Sequence, residues 1–275
     1  MIGNEIKKII HRREYLIIAG ILITAVLLDF YSTCIQVYGE NLSEIPSAYQ
    51  MSILSNKSNL FDLVFGSFLF FLISNMIAVN IVAYEVECKI DTYIFTRLKA
   101  EKYIKNQVLA IVLVTFFTVW GCLFFSLGLF LSAFPLQGYF TEVTTHNTLM
   151  EPDPNRLFSY LLNFYPYLNI LTLITLRALT AAVTAFFSSA IIIDNRTSKY
   201  VALFLPMVIF ITYSITTSII IEHIDDIGMF STVGTYILSV NGAGSEFVII
   251  GYLLIEVLVG VVLIKRGLKT DATIL

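Results

Sequence analysis

Apolar residues along this chain gather into long runs separated by short charged stretches. Crossing a bilayer as a helix takes about 20 mostly apolar residues. Six runs reach that length: residues 15–35, 60–84, 108–134, 168–193, 200–221 and 247–264. The pattern therefore predicts an all-α, polytopic integral membrane protein, a single transmembrane domain over residues 1–275 with six spanning helices. Gly121 in the third run and Pro206 in the fifth are candidate kink positions, because helices in lipid tolerate both residues.

Two stretches outside the runs have helical periodicity. At the N-terminus, residues 1–14, Ile2, Ile6, Ile9 and Ile10 form one apolar stripe, and Lys7, Lys8, Arg12 and Arg13 cover other faces. Such a helix is expected to lie in the membrane interface with its basic face toward anionic lipid. The second stretch is residues 84–106, YEVECKIDTYIFTRLKAEKYIKN, between the second and third runs. Ile90, Tyr93, Ile94 and Leu98 there follow i, i+3, i+4, i+8 spacing, which predicts a short amphipathic helix, too charged to span. An apolar edge of that kind can dock into a groove on a soluble partner.

Composition agrees with lipid as the solvent. Apolar residues make up 57% of the 275 and charged residues only 13%, against about 25% in soluble domains. The net charge of −3 argues against a nucleic-acid partner. Cys34, Cys88 and Cys122 lie far apart and form no C-x-x-C pair, so a disulfide scaffold, a zinc site and a membrane thiol oxidoreductase are not expected. The charged start, followed by a run long enough to span, predicts no cleaved signal peptide.

Lys and Arg set the orientation. With the N-terminus inside, only Lys57 and Arg156 of the 17 fall outside, and Arg177 falls within a span. The expected topology is N-in, C-in, with residues 36–59, 135–167 and 222–246 extracellular. The two intramembrane charges, Arg177 and Glu256, each lie nine or so residues below the outer end of their span, about 14 Å deep. An isolated charge at that depth costs on the order of 3 kcal/mol, so a shared polar site is expected. The pair reads either as a polar patch in a translocation path or as a staple between two helices. Asp29 and Asp62, at the outer ends of the first two runs, are expected to be wet.

No catalytic chemistry is visible. The sequence has no G-x-x-x-x-G-K-[ST] and no H-E-x-x-H, and His11, His146 and His223 are scattered. An enzyme is therefore not expected, no metal is expected, and this chain is expected to bind no cofactor itself.

The layout resembles the six-span membrane subunit of ABC-2 type transporters. That family has an amphipathic elbow helix before the first span. A coupling helix between spans two and three sits in a cleft of the ATPase subunit. The family's loop carries a Glu, then Gly-Thr four residues on, then apolar residues, a basic turn and a Lys opening span three. Here Glu87 is followed by Asp91-Thr92, Ile94-Phe95, Arg97-Leu98-Lys99 and Lys105, with Asp91 where Gly is usual. Residues 228–245, with four glycines, suit the short re-entrant helices that family members carry between spans five and six.

The resemblance implies several further expectations. Glu87, Asp91, Thr92, Ile94, Phe95 and Leu98 would contact an ABC ATPase subunit, which would carry ATP and Mg. A second permease copy, identical or homologous, would complete the translocation path. Spans one, two and five would line it, which makes Thr24, Ser67, Thr212, Tyr213 and Thr216 candidate substrate-lining residues. Hydrogen bonding to the local backbone is the alternative for each of these hydroxyls. The implied function is export of an amphipathic or hydrophobic cargo, such as a peptide, antibiotic or lipid-like molecule, across a bacterial plasma membrane. The alternatives are a membrane immunity or scaffold protein that binds its ligand at the acidic outer face and, at longer odds, a membrane-embedded enzyme.

Overall fold

A computed structural model describes residues 2–40, 45, 47–48, 68–88, 100–136, 161, 165–195, 198–222 and 246–274. Among them are seven helices and no strand: α1 (Ile2–Ile10), α2 (Arg13–Gln36), α3 (Phe68–Glu87), α4 (Ala100–Ala133), α5 (Pro166–Asn195), α6 (Lys199–Glu222) and α7 (Glu246–Ile274). Among the described residues, α2, α3, α4 and α5 are long and apolar enough to cross a membrane. The described residues are thus those of an all-helical protein with four helices suited to a membrane. In α6 the apolar stretch with described side chains is shorter, Lys199–Tyr213.

Helix ends depart from the ends of the apolar runs. Helix α4 starts at Ala100, eight residues before the third run, and α7 continues to Ile274, ten residues past the sixth. Residues 84–87 and 100–106, the two ends of the segment expected between the second and third spans, are therefore helical extensions of α3 and α4. The reason is local: Tyr103, Ile104 and Gln107 face inward and are buried, so the first turns of α4 gain packing without lying in lipid. Gly121 and Pro206 both lie within unbroken helices.

Helix α5 is the hub. It packs against α3, α4, α6 and α7, while α2 lies on α3 and α4, and α1 rests mainly on α4. Its inner face is built from small residues, Ala178, Ala181, Ala185, Ser188, Ser189 and Ala190, all essentially without exposure. Apolar burial does little to hold helices together in lipid, so close backbone approach and dispersion must do it, and small side chains permit both. Helix α7 answers with glycines one heptad apart. A Cβ built on Gly267 would fall 2.6 Å from the carbonyl oxygen of Ile193, and one on Gly260 would enter the ring of Phe186. The outward face is apolar too: Phe117, Leu254 and Leu258 are more than half exposed.

At the opposite end of α2 from the N-terminus, Asp29 is buried at 3% exposure rather than wet. Its turn is closed by Ser32 and Thr33, whose hydroxyls donate to the Asp29 carbonyl at 2.9 and 3.0 Å. Asp62 lies outside the described residues.

Candidate functional site

The residues that join most elements are at the end of the bundle shared by α1, the end of α3 and the start of α4. Helix α1 stops at Ile10, and Arg12 has extended backbone (φ −73°, ψ 140°), so α2 sets off in a new direction. That joint lets α1 lie against the bundle. Ile9 is buried at 1% exposure, and Ile2 and Ile6 pack partly against the core, whereas Ile10 is 40% exposed. The apolar stripe thus turns largely toward protein. Two of the four cations follow it inward, Lys8 and Arg12 reaching Glu85 of α3, while Lys7 and Arg13 are exposed.

Glu85 is 2% exposed and sits among four donors from three segments. Lys8 Nζ donates to Oε1. Arg12 Nη2 stands 3.9 Å from the same oxygen, and its guanidinium lies over the Tyr84 ring, 4.9 Å from the centroid. On the other oxygen, Oε2, Tyr103 Oη donates at 2.8 Å and Gln107 Nε2 also donates. Tyr103 and Gln107 are four apart on α4, hence on one face. One oxygen thus meets cations and the other meets neutral donors, so neither oxygen of the buried carboxylate is left without a partner. Deeper in the bundle, Tyr15 and Thr118 hydroxyls meet at 2.9 Å and tie α2 to α4.

This arrangement closes the base of the segment between α3 and α4. Glu85 lies just before residue 88 and Tyr103 just after residue 100, so their hydrogen bond pins both stems. Displacing residues 89–99 would therefore act on α3, α4 and α1 together. Of the expected ATPase-coupling residues, Glu87 is the exposed last residue of α3. Asp91, Thr92, Ile94, Phe95 and Leu98 lie outside the described residues.

The intramembrane charges do not join each other. Arg177 and Glu256 are both buried, at 5% and 2% exposure. Glu256 Oε1 accepts a hydrogen bond from Tyr252 Oη at 2.6 Å, one turn away on its own helix, and Oε2 has no hydrogen-bond partner. Arg177 instead presents its guanidinium toward Phe70, 6.0 Å from the ring centroid. No ion pair between the two occurs among the described residues. Around Tyr252 the neighbours are aromatic: Phe210 at 5.6 Å and Tyr213 at 5.3 Å between centroids, with Phe71 stacked on Phe210 at 4.7 Å.

Thr24, Thr212 and Thr216 are exposed, and each hydroxyl donates to the carbonyl one turn earlier at 2.8 to 2.9 Å. Their polarity is consumed locally, which is the alternative reading of these residues. Tyr213 faces Tyr252, and Ser67 lies outside the described residues.

The sequence reading missed Glu85, Tyr103 and Gln107. It also missed Asp194, at the end of α5, whose Oδ1 stands 3.5 Å from Arg266 Nε of α7. A signal for Glu85 existed. Two inward-facing cations on an amphipathic N-terminal helix require an acid, and Glu85 closes the second apolar run. No group of three or more His, Cys, Asp or Glu side chains that could hold a metal occurs among the described residues. No protein-family model, no curated protein and no solved structure matches this chain.

Proposed function

We propose that this chain is the membrane-spanning permease subunit of an ATP-driven exporter, embedded in a bacterial plasma membrane with six spans and both termini inside. Helices α6 and α7 complete the set of spans, at about 36 and 44 Å by a rise of 1.5 Å per residue. The chain contains no P-loop, so ATP and Mg bind to a separate ATPase subunit, and a second permease copy completes the path. The cargo is amphipathic or hydrophobic, in keeping with apolar, aromatic-rich spans and few buried charges.

The observation that carries this reading is the Glu85 junction. A partner that pushes on residues 89–99 needs rigid stems to move spans, and the Tyr103–Glu85 hydrogen bond together with Lys8 supplies them. Closure of the ATPase then turns α3 and α4 as one body with the N-terminal helix. This matches the general way domains transmit a local contact through packed, two-position elements.

Affinity purification of the tagged chain from its native membranes tests the proposal. The wild type is expected to recover a P-loop ATPase, and a Glu87→Arg, Ile94→Asp double variant of equal abundance is expected to lose it. Equal recovery by both, or recovery of no ATPase by the wild type, removes the proposal.

A further inference from the structure

A groove of about 560 Å³ runs between α4 and α7, floored by α5. It exists because α4 and α7 both pack on α5 and leave a gap between themselves. Leu179, Ala182, Val183 and Phe186 of α5 form its floor. Leu109 on one wall and Val261 on the other are 45% and 38% exposed to the gap and the surrounding lipid.

The lining is apolar over its whole length except at one end. There Lys105 and Glu101 of α4 and Lys265 of α7 form the mouth. Lys105 is held by Glu101 at 2.6 Å, with both side chains about two-thirds exposed. Lys265 makes no ion pair among the described residues, so the mouth carries one net positive charge. This end belongs to the same side as the Glu85 junction: Lys105 lies half a turn beyond Tyr103, and Arg266 beside Lys265 reaches Asp194 at the end of α5.

An apolar trough with a basic mouth fits an amphiphile with an anionic head. We propose that this groove is a binding site for one anionic phospholipid, its acyl chain along Val261 and Leu109 and its phosphate between Lys105 and Lys265. A volume of 560 Å³ falls within the range of about 300–1,000 Å³ typical of small-molecule sites. Basic pockets between membrane helices on the side facing the cytoplasm favour anionic head groups, and the long lysine stems reach the interface while covering apolar wall. A protein helix seated in the same groove would bury the Lys265 ammonium without an acid, so lipid is the occupant the charges favour.

The chain has a single tryptophan, Trp120, which makes a clean optical test possible. A Trp120→Phe, Leu109→Trp variant places the only indole in the groove. A Trp120→Phe, Phe117→Trp variant places it on the 61% exposed outer face of α4 as control. Each is reconstituted in vesicles containing either brominated phosphatidylglycerol or brominated phosphatidylcholine at equal fraction, and quenching is read. The groove probe is expected to prefer the anionic lipid about fivefold, the factor for one net charge at a membrane surface, and the control to show no preference. Adding Lys105→Ala and Lys265→Ala should abolish the preference, and adding Glu101→Gln should raise it. A Val261→Trp probe on the opposite wall repeats the reading should Leu109→Trp fail to fold. Equal quenching by both lipids means bulk lipid only, and absence of quenching by either means a protein segment covers the groove. Both outcomes overturn the proposal.

Discussion

At the scale of single residues, the junction rests on one buried carboxylate held by charged and neutral donors at once. Removing only Lys8 leaves Glu85 buried with weaker company, whereas removing only Glu85 frees a one-third-exposed ammonium that can turn to water. Breaking a fully buried pair costs about 3–5 kcal/mol. With Lys8 at 35% side-chain exposure, a lower cost of about 1–3 kcal/mol is expected for Lys8→Met. In a double-mutant cycle with Glu85→Gln, read by thermal unfolding in detergent, the two changes should couple by about 1 kcal/mol or more. Strict additivity would show that the contact contributes nothing. Residue-level detail was the least legible part of the sequence. Glu85 and Glu87 are two positions apart, hence about 200° apart around the helix, and an apolar run marks the depth of an acid without fixing its direction. The same holds for Arg177 and Glu256: the sequence places them along α5 and α7 and leaves their rotation about those helices open. Rotation is set by which small residues let helices meet, and that is a tertiary fact.

At the scale of elements, the apolar runs located the helices but understated the length of α4 and α7. Helix α4 has 34 residues, about 51 Å, against about 30 Å of hydrocarbon, so its first turns stand clear of the lipid core. Those turns carry polar residues, which is why hydropathy ended the run at residue 108 while the buried Tyr103, Ile104 and Gln107 extended the helix. The N-terminal amphipathic helix was legible from its stripe, and part of that stripe packs on the bundle. The contact between α5 and α7 gives a prediction with two signs. Gly267→Ala drives a Cβ to 2.6 Å from a backbone oxygen that cannot move aside, and overpacking of this kind costs about 1–3 kcal/mol. Gly128→Ala in α4 meets nothing within 4 Å and should be neutral or stabilising by up to about 1 kcal/mol. Melting curves of the two variants in detergent check both, and a Gly267→Ala protein as stable as wild type would show that α7 sits farther from α5 than described.

At the scale of the molecule, one end of the bundle gathers the ion-paired machinery. Lys8, Arg12 and Glu85 join α1 to α3, and Asp194 and Arg266 join α5 to α7. The all-α membrane architecture was legible because lipid imposes length and apolarity on every span, and both are properties of sequence alone. Assembly is different in kind, since it depends on surfaces that composition does not rank. The central claim is that the segment after α3 lies inside the cell and touches an ATPase. Cys88 is exposed and is the first residue beyond α3, so it serves as a natural handle. With Cys34 and Cys122 replaced by Ala, a photoreactive maleimide placed on Cys88 reports its neighbours in native membrane vesicles. The account predicts labelling in inside-out vesicles alone, with an adduct to a P-loop ATPase whose yield changes on adding ATP. Labelling from the extracellular side, or adducts that include no ATPase, would contradict it.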